Sequence, residues 1–357
     1  MITISLCMIV KNEASTIGNC LESVLGIADE INIVDTGSTD GTKDIVRQYT
    51  DRIFDFEWID DFAAARNFAF QQATMSHILW LDADDVLLEA DRQKLLQLKQ
   101  SLDDDIHSVT MIYHYAFDDH GNVTVELRRN RLVQRHCNFQ WHGPVHEYLA
   151  VHGKTLNSDV IITHCRVHQH SDRNIRIFEN RLARGEQFSP RDMYYYANEL
   201  VDHQRYELAA QQYHQFLDTG AGWIEDNISS CLKLADIYHQ RNEEQLELQM
   251  LWKSFDYAPP RAEACCRLGA YKLHHDELTQ AVFWYTLATK LTKPESLGFF
   301  DDAYWTWIPH VQLCVCYYRL GNFELSYDHN EVARHYRPND ESIRNNKAIL
   351  EDLYVHN

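Results

Sequence analysis

Apolar and polar positions follow two regimes along this chain. Up to about residue 170, short apolar runs end in clusters of small and acidic residues. Ile2 to Val10, Ile31 to Val34 and His77 to Leu81 read as buried strands. Between them, Ala14 to Leu25 sets Ile17, Leu21, Val24 and Leu25 on one helical face. Asp61 is placed to cap a helix running from Ala63 to Ala73. Strand, polar loop and helix in succession predict a parallel sheet with helical crossovers. Val109 to Phe117 and Val123 to Arg128 read as strands joined across Asp118 to Asn122, and Asp159 to His164 as a late strand with a polar end.

From about Arg191 helical spacing takes over and one register recurs. Tyr196-Ala197, Leu234-Ala235, Leu268-Gly269 and Leu313-Cys314 are large-small pairs spaced 34 to 45 residues apart. Twelve residues after each small member stand Ala209, Glu247, Ala281 and Ser326; four further on stand Tyr213, Leu251, Tyr285 and Asn330. This register resembles the tetratricopeptide repeat, in which small residues let paired helices pack closely, and three to four units are expected. Glu247 and Asn330 depart from the pattern. Stacked pairs form a groove, so this half is expected to bind a peptide or protein acceptor or to build a homodimer.

Composition narrows the function. The chain has 357 residues, 45% of them hydrophobic, enough for two domains. Its net charge of -20, from 33 basic and 53 acidic residues, argues against nucleic-acid binding and against a polybasic membrane anchor. The nine cysteines are scattered with no CxxC pair, which points to reduced thiols and a cytoplasmic location. No apolar run reaches the roughly 20 residues of a membrane span.

The candidate chemistry gathers at strand ends, where ligands bind in open α/β sheets. The run His77 to Leu81 stops in Asp82-Ala83-Asp84-Asp85. Asp82 and Asp84 suit a divalent cation that bridges a diphosphate; alternatively Asp85 only caps the following helix. Asp35, in Val34-Asp35-Thr36-Gly37-Ser38-Thr39-Asp40-Gly41-Thr42, is placed to accept hydrogen bonds from a base or ribose, or else to shape an Asx-turn. That loop lacks the Gly-Lys-Ser/Thr ending of a P-loop. Arg66, one turn into its helix, is placed to reach a phosphate or pair with an acid.

Lys11-Asn12-Glu13, the Val34 to Thr42 segment, Asp61-Phe62-x3-Arg66-Asn67 and Leu81 to Asp85 occur in one order. Together they resemble the family 2 glycosyltransferases, inverting enzymes of the GT-A fold, over about the first 170 residues. The resemblance implies a Rossmann-like α/β GT-A domain at 1-172, a helical linker at 173-190 and an all-α repeat domain at 191-357. It implies that Asp35 meets the uracil or ribose of a UDP-sugar, and that Arg66 lies beside the nucleotide. Asp61, Asp82 and Asp84 are counted with them as donor-binding, and Asp82 and Asp84 as the DxD ligands of Mn²⁺ or Mg²⁺. GT-A enzymes often add a late histidine ligand; His164 is placed like one, with His168 and His170 competing. An inverting transfer needs a base for the acceptor proton. Glu147 is the first choice and His146 the second, and Trp141 is expected as an acceptor platform or as core. The expected reaction moves a sugar, glucose or N-acetylglucosamine, from UDP to a peptide cysteine or serine/threonine. The two-part layout looks like that of bacterial peptide glycosyltransferases. The alternatives are a transferase for lipopolysaccharide core or another cell-surface glycan, and a non-enzymatic repeat scaffold on a degenerate transferase fold.

Overall fold

The computed structural model describes residues 1–118, 121, 123–165, 172–296, 298 and 300–355. The chain forms two compact units, Met1–Phe188 and Ser189–Asn357.

The first unit is built on one sheet. Its elements are β1 (Ile4–Val10), α1 (Ile17–Ser23), β2 (Glu30–Asp35), α2 (Thr42–Val46), β3 (Ile53–Asp55), α3 (Phe62–Gln71), β4 (His77–Trp80), β5 (Asp85–Val86), α4 (Glu89–Ser101), β6 (Ser108–Phe117), β7 (Val123–Gln134), β8 (Gln140–His142), β9 (Tyr148–Ala150), β10 (Thr155–His164) and α5 (Arg173–Ala183). The sheet order is β3-β2-β1-β4-β7-β6-β10-β5, and β8 and β9 pair separately. The strands β3, β2, β1 and β4 run parallel; β7 is antiparallel to both β4 and β6; β10 is parallel to β6. The carboxyl ends of β1, β2, β4, β6 and β10 therefore share one rim. This is the mixed sheet expected of a GT-A domain.

Period-2 alternation divides the core between the two faces of the sheet. In β1, Ile4, Leu6, Met8 and Val10 face a cluster with Ile17 and Leu21 of α1 and Leu95 of α4. Cys7 faces the other way, with Val34, Ile78, Trp80 and the α3 residues Ala63, Ala69 and Phe70. The alanines of α3 favour the helix and let it lie close to the sheet. Asp61 caps it, accepting from the Ala64 N–H at 2.9 Å. Asp85 does not cap α4: the residue before that helix is Leu88, which makes no side-chain cap, and Asp85 is drawn into β5 instead.

The second unit is helical. Its elements are α6 (Pro190–Asp202), α7 (Tyr206–Asp218), α8 (Ile224–Gln240), α9 (Glu244–Lys253), α10 (Ala262–His274), α11 (Leu278–Ala288), α12 (Trp307–Arg319), α13 (Phe323–Tyr336) and α14 (Glu341–Val355). α6 to α13 form four tetratricopeptide-like pairs among the described residues. The small positions of the register are tightly packed: a Cβ on Gly269 would lie 2.8 Å from the Tyr285 ring. The two departures are satisfied locally. Glu247 pairs with His239 Nδ1 at 3.0 Å, and Asn330 donates to the Ile343 carbonyl at 3.0 Å. Each pair turns through one left-handed residue, at Gln204, Asn242, Asp276 and Gly321, each seven places after the small member of its pair. No helix among the described residues is long and apolar enough to cross a membrane.

Candidate active site

The chain leaving β4 folds into a tight turn. The Asp85 N–H donates to the Asp82 carbonyl at 3.1 Å, and the Asp82 N–H donates to Asp85 Oδ2 at 2.9 Å. The turn sends its carboxylates in different directions. Asp85 is wholly buried, accepts from the Tyr113 hydroxyl at 2.9 Å and forms an ion pair with Arg131, Oδ2 to Nη1 3.0 Å. Asp84, Asp85 and His164 gather so that one ligand atom from each lies within 4.8 Å of the others. His164 Nδ1 stands 3.5 Å from Asp84 Oδ1 and 3.6 Å from Asp85 Oδ1. Burial disfavours the imidazolium, but the two carboxylates outweigh it and push the His164 pKa up to about 9. The Tyr115 ring stacks on His164 at 5.3 Å.

Asp82 faces the other way. Expected among the metal ligands, it instead accepts from Arg66 Nη2 at 2.7 Å. Arg66 Nε donates to Glu147 Oε1 at 2.6 Å, so one guanidinium joins the two acids. Its Cζ lies 4.9 Å from the rings of both Trp80 and Trp141, a cation–π slot that fixes the plane of the fork. Burial alone would raise the Asp82 pKa; the charges of Arg66, then Arg131 and Arg129, hold it well below the ordinary carboxylate range. Glu147 Oε2 accepts no hydrogen bond among the described residues.

Glu147 reaches this position on the β8–β9 hairpin. Asn67 of α3 grips that hairpin at both backbone groups of Trp141: Nδ2 donates to the carbonyl at 3.0 Å and Oδ1 accepts from the N–H at 2.8 Å. The Phe62 N–H adds a bond to the Pro144 carbonyl at 2.9 Å. His146, beside Glu147, has a left-handed φ of 51°. The expected platform at Trp141 is corrected here. Trp141 is 4% exposed and packs edge-on to Trp80 and Phe70. Alternation along the hairpin turns 141 inward and puts its neighbours His142 and Tyr148 outward.

Asp35, at the end of β2, is buried. Its Oδ1 accepts from the Gly37 and Ser38 N–H groups, both at 2.9 Å, and Lys43 Nζ lies 3.6 Å away. Its Oδ2 is buried with no partner among the described residues. Burial would raise its pKa; the Ser38 and Gly37 bonds and the Lys43 charge lower it below the usual value. Asp61 serves as a helix cap. His168 and His170 lie outside the described residues.

Sequence reasoning did not single out Tyr113, Tyr115, Arg129 or Arg131, and read Asp85 only as a cap. The available signal was Leu127-Arg128-Arg129-Asn130-Arg131-Leu132, arginines breaking the apolar alternation of a strand. Two carboxylates and an imidazole fit a divalent cation that takes oxygen and nitrogen ligands, such as Mn²⁺ or Mg²⁺. Asp84 and His164 are the freer members, since both Asp85 oxygens already accept from protein donors.

Residues 5–172 match the family described as glycosyl transferase family 2. Three curated relatives are similar to parts of the chain. A TPR repeat-containing protein of Synechococcus elongatus is 45% identical over 28% of this chain and 25% of its own length. The SPbeta prophage-derived glycosyltransferase SunS of Bacillus subtilis is 27% identical over 56% of this chain and 49% of its own. The lipopolysaccharide core biosynthesis glycosyltransferase LpsC of Rhizobium meliloti is 36% identical over 42% of this chain and 58% of its own. The chain thus spans between 25% and 58% of the length of these relatives. The strand-end acids, the mixed sheet that presents them and the family match agree: residues 5–172 form a glycosyltransferase family 2 domain with the mixed sheet of the GT-A fold, and tetratricopeptide-like repeats follow it.

Proposed function

We propose that this chain is a metal-dependent, inverting glycosyltransferase that moves glucose or N-acetylglucosamine from UDP to a cysteine or serine/threonine side chain of a peptide or protein. The observation that carries this reading is the turn Asp82–Asp85, which holds a cation-fitting trio on one side and the Arg66–Glu147 pair on the other. The free Oδ2 of Asp35 is suited to accept the uracil N–H. Asp84 and His164, with Asp85 behind them, would hold Mn²⁺ or Mg²⁺. When bound, that ion would offset the charge developing on the leaving diphosphate. Arg66 keeps Asp82 ionised and orients Glu147. The unengaged Oε2 of Glu147 would take the acceptor proton, with His146 as the neighbouring alternative. A cysteine thiol, with a pKa near ~8.5, asks less of that base than a hydroxyl does. The repeats would bind the acceptor peptide; a homodimer through them is the other use, separable by sedimentation.

The peptide reading is supported by the four helical pairs that follow the sheet domain, since stacked repeats form a groove suited to an extended chain; similarity to SunS supports glycosyl transfer as such. A second reading, a lipopolysaccharide-core acceptor, is favoured by similarity to LpsC. The test has two stages. Calorimetric titration of UDP should show binding that Mn²⁺ or Mg²⁺ strengthens; silence with every nucleotide diphosphate would sink the enzyme reading and favour a repeat scaffold. Nucleotide release from UDP-sugars with peptide pools, set against lipid-linked and free sugars, then selects the acceptor.

A further inference from the structure

Three buried guanidinium N–H groups beside the Asp82–Asp85 turn have no hydrogen-bond partner among the described residues: Arg129 Nε, Arg131 Nε and Arg131 Nη2. Their position comes from an irregularity in the sheet. Val109 pairs with Leu132 and Thr110 with Asn130, so Arg131 is an extra residue in β7. Such a bulge re-aims a side chain locally. Arg131 is wholly buried, with its Cζ 3.9 Å from the Trp80 ring and 4.6 Å from the Tyr113 ring. Arg129 lies on the same tyrosine, its Cζ 5.5 Å from the ring. Arg131 pairs with Asp85, but the Arg129 side chain has no ion pair or hydrogen bond among the described residues, while its charge still acts on Asp82. Two like charges thus share one aromatic ring. Leaving a buried donor unmade is costlier than an ordinary hydrogen bond is stabilising, and the penalty is larger near charge. An oxyanion would relieve both the open donors and the repulsion. Arginine forks suit phosphate oxygens.

We propose that Arg129, backed by Arg131, binds the terminal phosphate of the nucleoside diphosphate as a phosphate site additional to the divalent cation. The inference rests on the donor reading above. Arg129 would hold the non-bridging oxygens of the phosphate that departs with the nucleotide, and so favour the leaving group independently of the metal. A phosphate or carboxylate carried by the acceptor is the other source of the same chemistry.

The test is calorimetric titration of UDP and UMP into the full chain, with Mn²⁺ and again with EDTA, for wild type, Arg129→Gln and Arg129→Lys. UMP lacks the terminal phosphate, so it isolates the contribution of that group. With Mn²⁺, Arg129→Gln is expected to weaken UDP about tenfold or more and UMP less than about twofold. With EDTA, wild type should still prefer UDP over UMP, and Arg129→Gln should lose that preference. Arg129→Lys, which keeps the charge without the fork, should fall between and carries the test should the glutamine variant fail to fold. Equal losses for UDP and UMP, or unchanged UDP affinity, overturn the inference while the donor site stands. A raised acceptor KM with unchanged UDP affinity moves the arginine to the acceptor and overturns it too. A wild type that binds neither nucleotide removes the donor reading and the inference together.

Discussion

Neighbouring carboxylates in the Asp82–Asp85 turn do different work. Asp85 is wholly buried and ion-paired with Arg131, which makes it a structural anchor. Asp84 is partly exposed and faces His164. Substituting each by asparagine should separate the two roles. Asp84→Asn should abolish the metal dependence of UDP binding and change unfolding free energy by less than ~0.5 kcal/mol. Asp85→Asn leaves Arg131 without a counter-charge and should cost about 3 kcal/mol in urea denaturation. Equal stability losses in both variants would contradict the division. Arg66 is the second residue with two roles, since it ties Asp82 to Glu147. Arg66→Lys preserves the charge but cannot bond both acids in one plane. It should lower kcat more than it raises the donor KM, and a change in KM alone would argue against a role in holding Glu147.

Among the elements, the β8–β9 hairpin depends on α3 through one amide. Asn67→Ala should leave UDP affinity within about twofold, speed hydrogen exchange at the Trp141 N–H and reduce transfer; protected exchange in that variant would show that the hairpin is held otherwise. A different contact couples α12 to α13. His310 Nδ1 and His329 Nδ1 are 2.9 Å apart, and Tyr317 stacks on His329. Burial, then the neighbouring His329, lowers the His310 pKa to about 4; burial lowers that of His329, against the opposing charge of Asp328. The unfolded chain therefore binds protons that the folded pair resists. Stability from this pair is complete above the unfolded value near ~6.5 and is lost as pH falls towards 4, by on the order of 2 kcal/mol. The unfolding temperature should drop between pH 7.5 and 5, and His329→Leu should flatten that drop. These elements also show what was legible in the sequence. The strand ends at Asp35 and Asp82 were visible because apolar runs stop abruptly there, and the repeats because large-small pairs recur. The inward turn of Trp141 was not, since β8 and β9 are each three residues long and show no readable alternation. Nor was Arg66–Glu147, whose partners are 81 residues apart. The bulge at Arg131 escaped because alternation presumes that no residue is extra.

At the scale of the whole molecule, each unit has its own apolar core. The sheet clusters draw all their residues from Met1–Phe188, and the cluster around Ala281, Tyr285 and Leu313 draws its own from Ser189–Asn357. Residues 1–188 alone should therefore fold and bind UDP with the metal dependence of the full chain, while transfer to a peptide should fall at least about tenfold if the repeats hold the acceptor. Unimpaired peptide transfer by the shortened chain would assign the repeats another use. The net charge of -20 adds a second expectation. Basic acceptor peptides should outpace acidic ones of equal length at low salt, and the difference should shrink as the Debye length falls from ~30 Å at 0.01 M to ~8 Å at 0.15 M. A salt-insensitive ratio would place recognition in short-range contacts.

The extra residue in β7 means that chain length, and not only chemistry, is under constraint at one point of the sheet. Were Arg131 deleted outright, Asn130 would follow directly on to Leu132, the ladder with Val109 and Thr110 would run without interruption, and each of those side chains would keep its face. The shortened strand would be the more regular one, yet Asp85 would have no guanidinium beneath it. A sheet of this kind can acquire a buried charge by insertion without recasting its faces, and can lose it as cleanly, so tolerance of a one-residue deletion would be read in the folding of this strand and its cost in the chemistry.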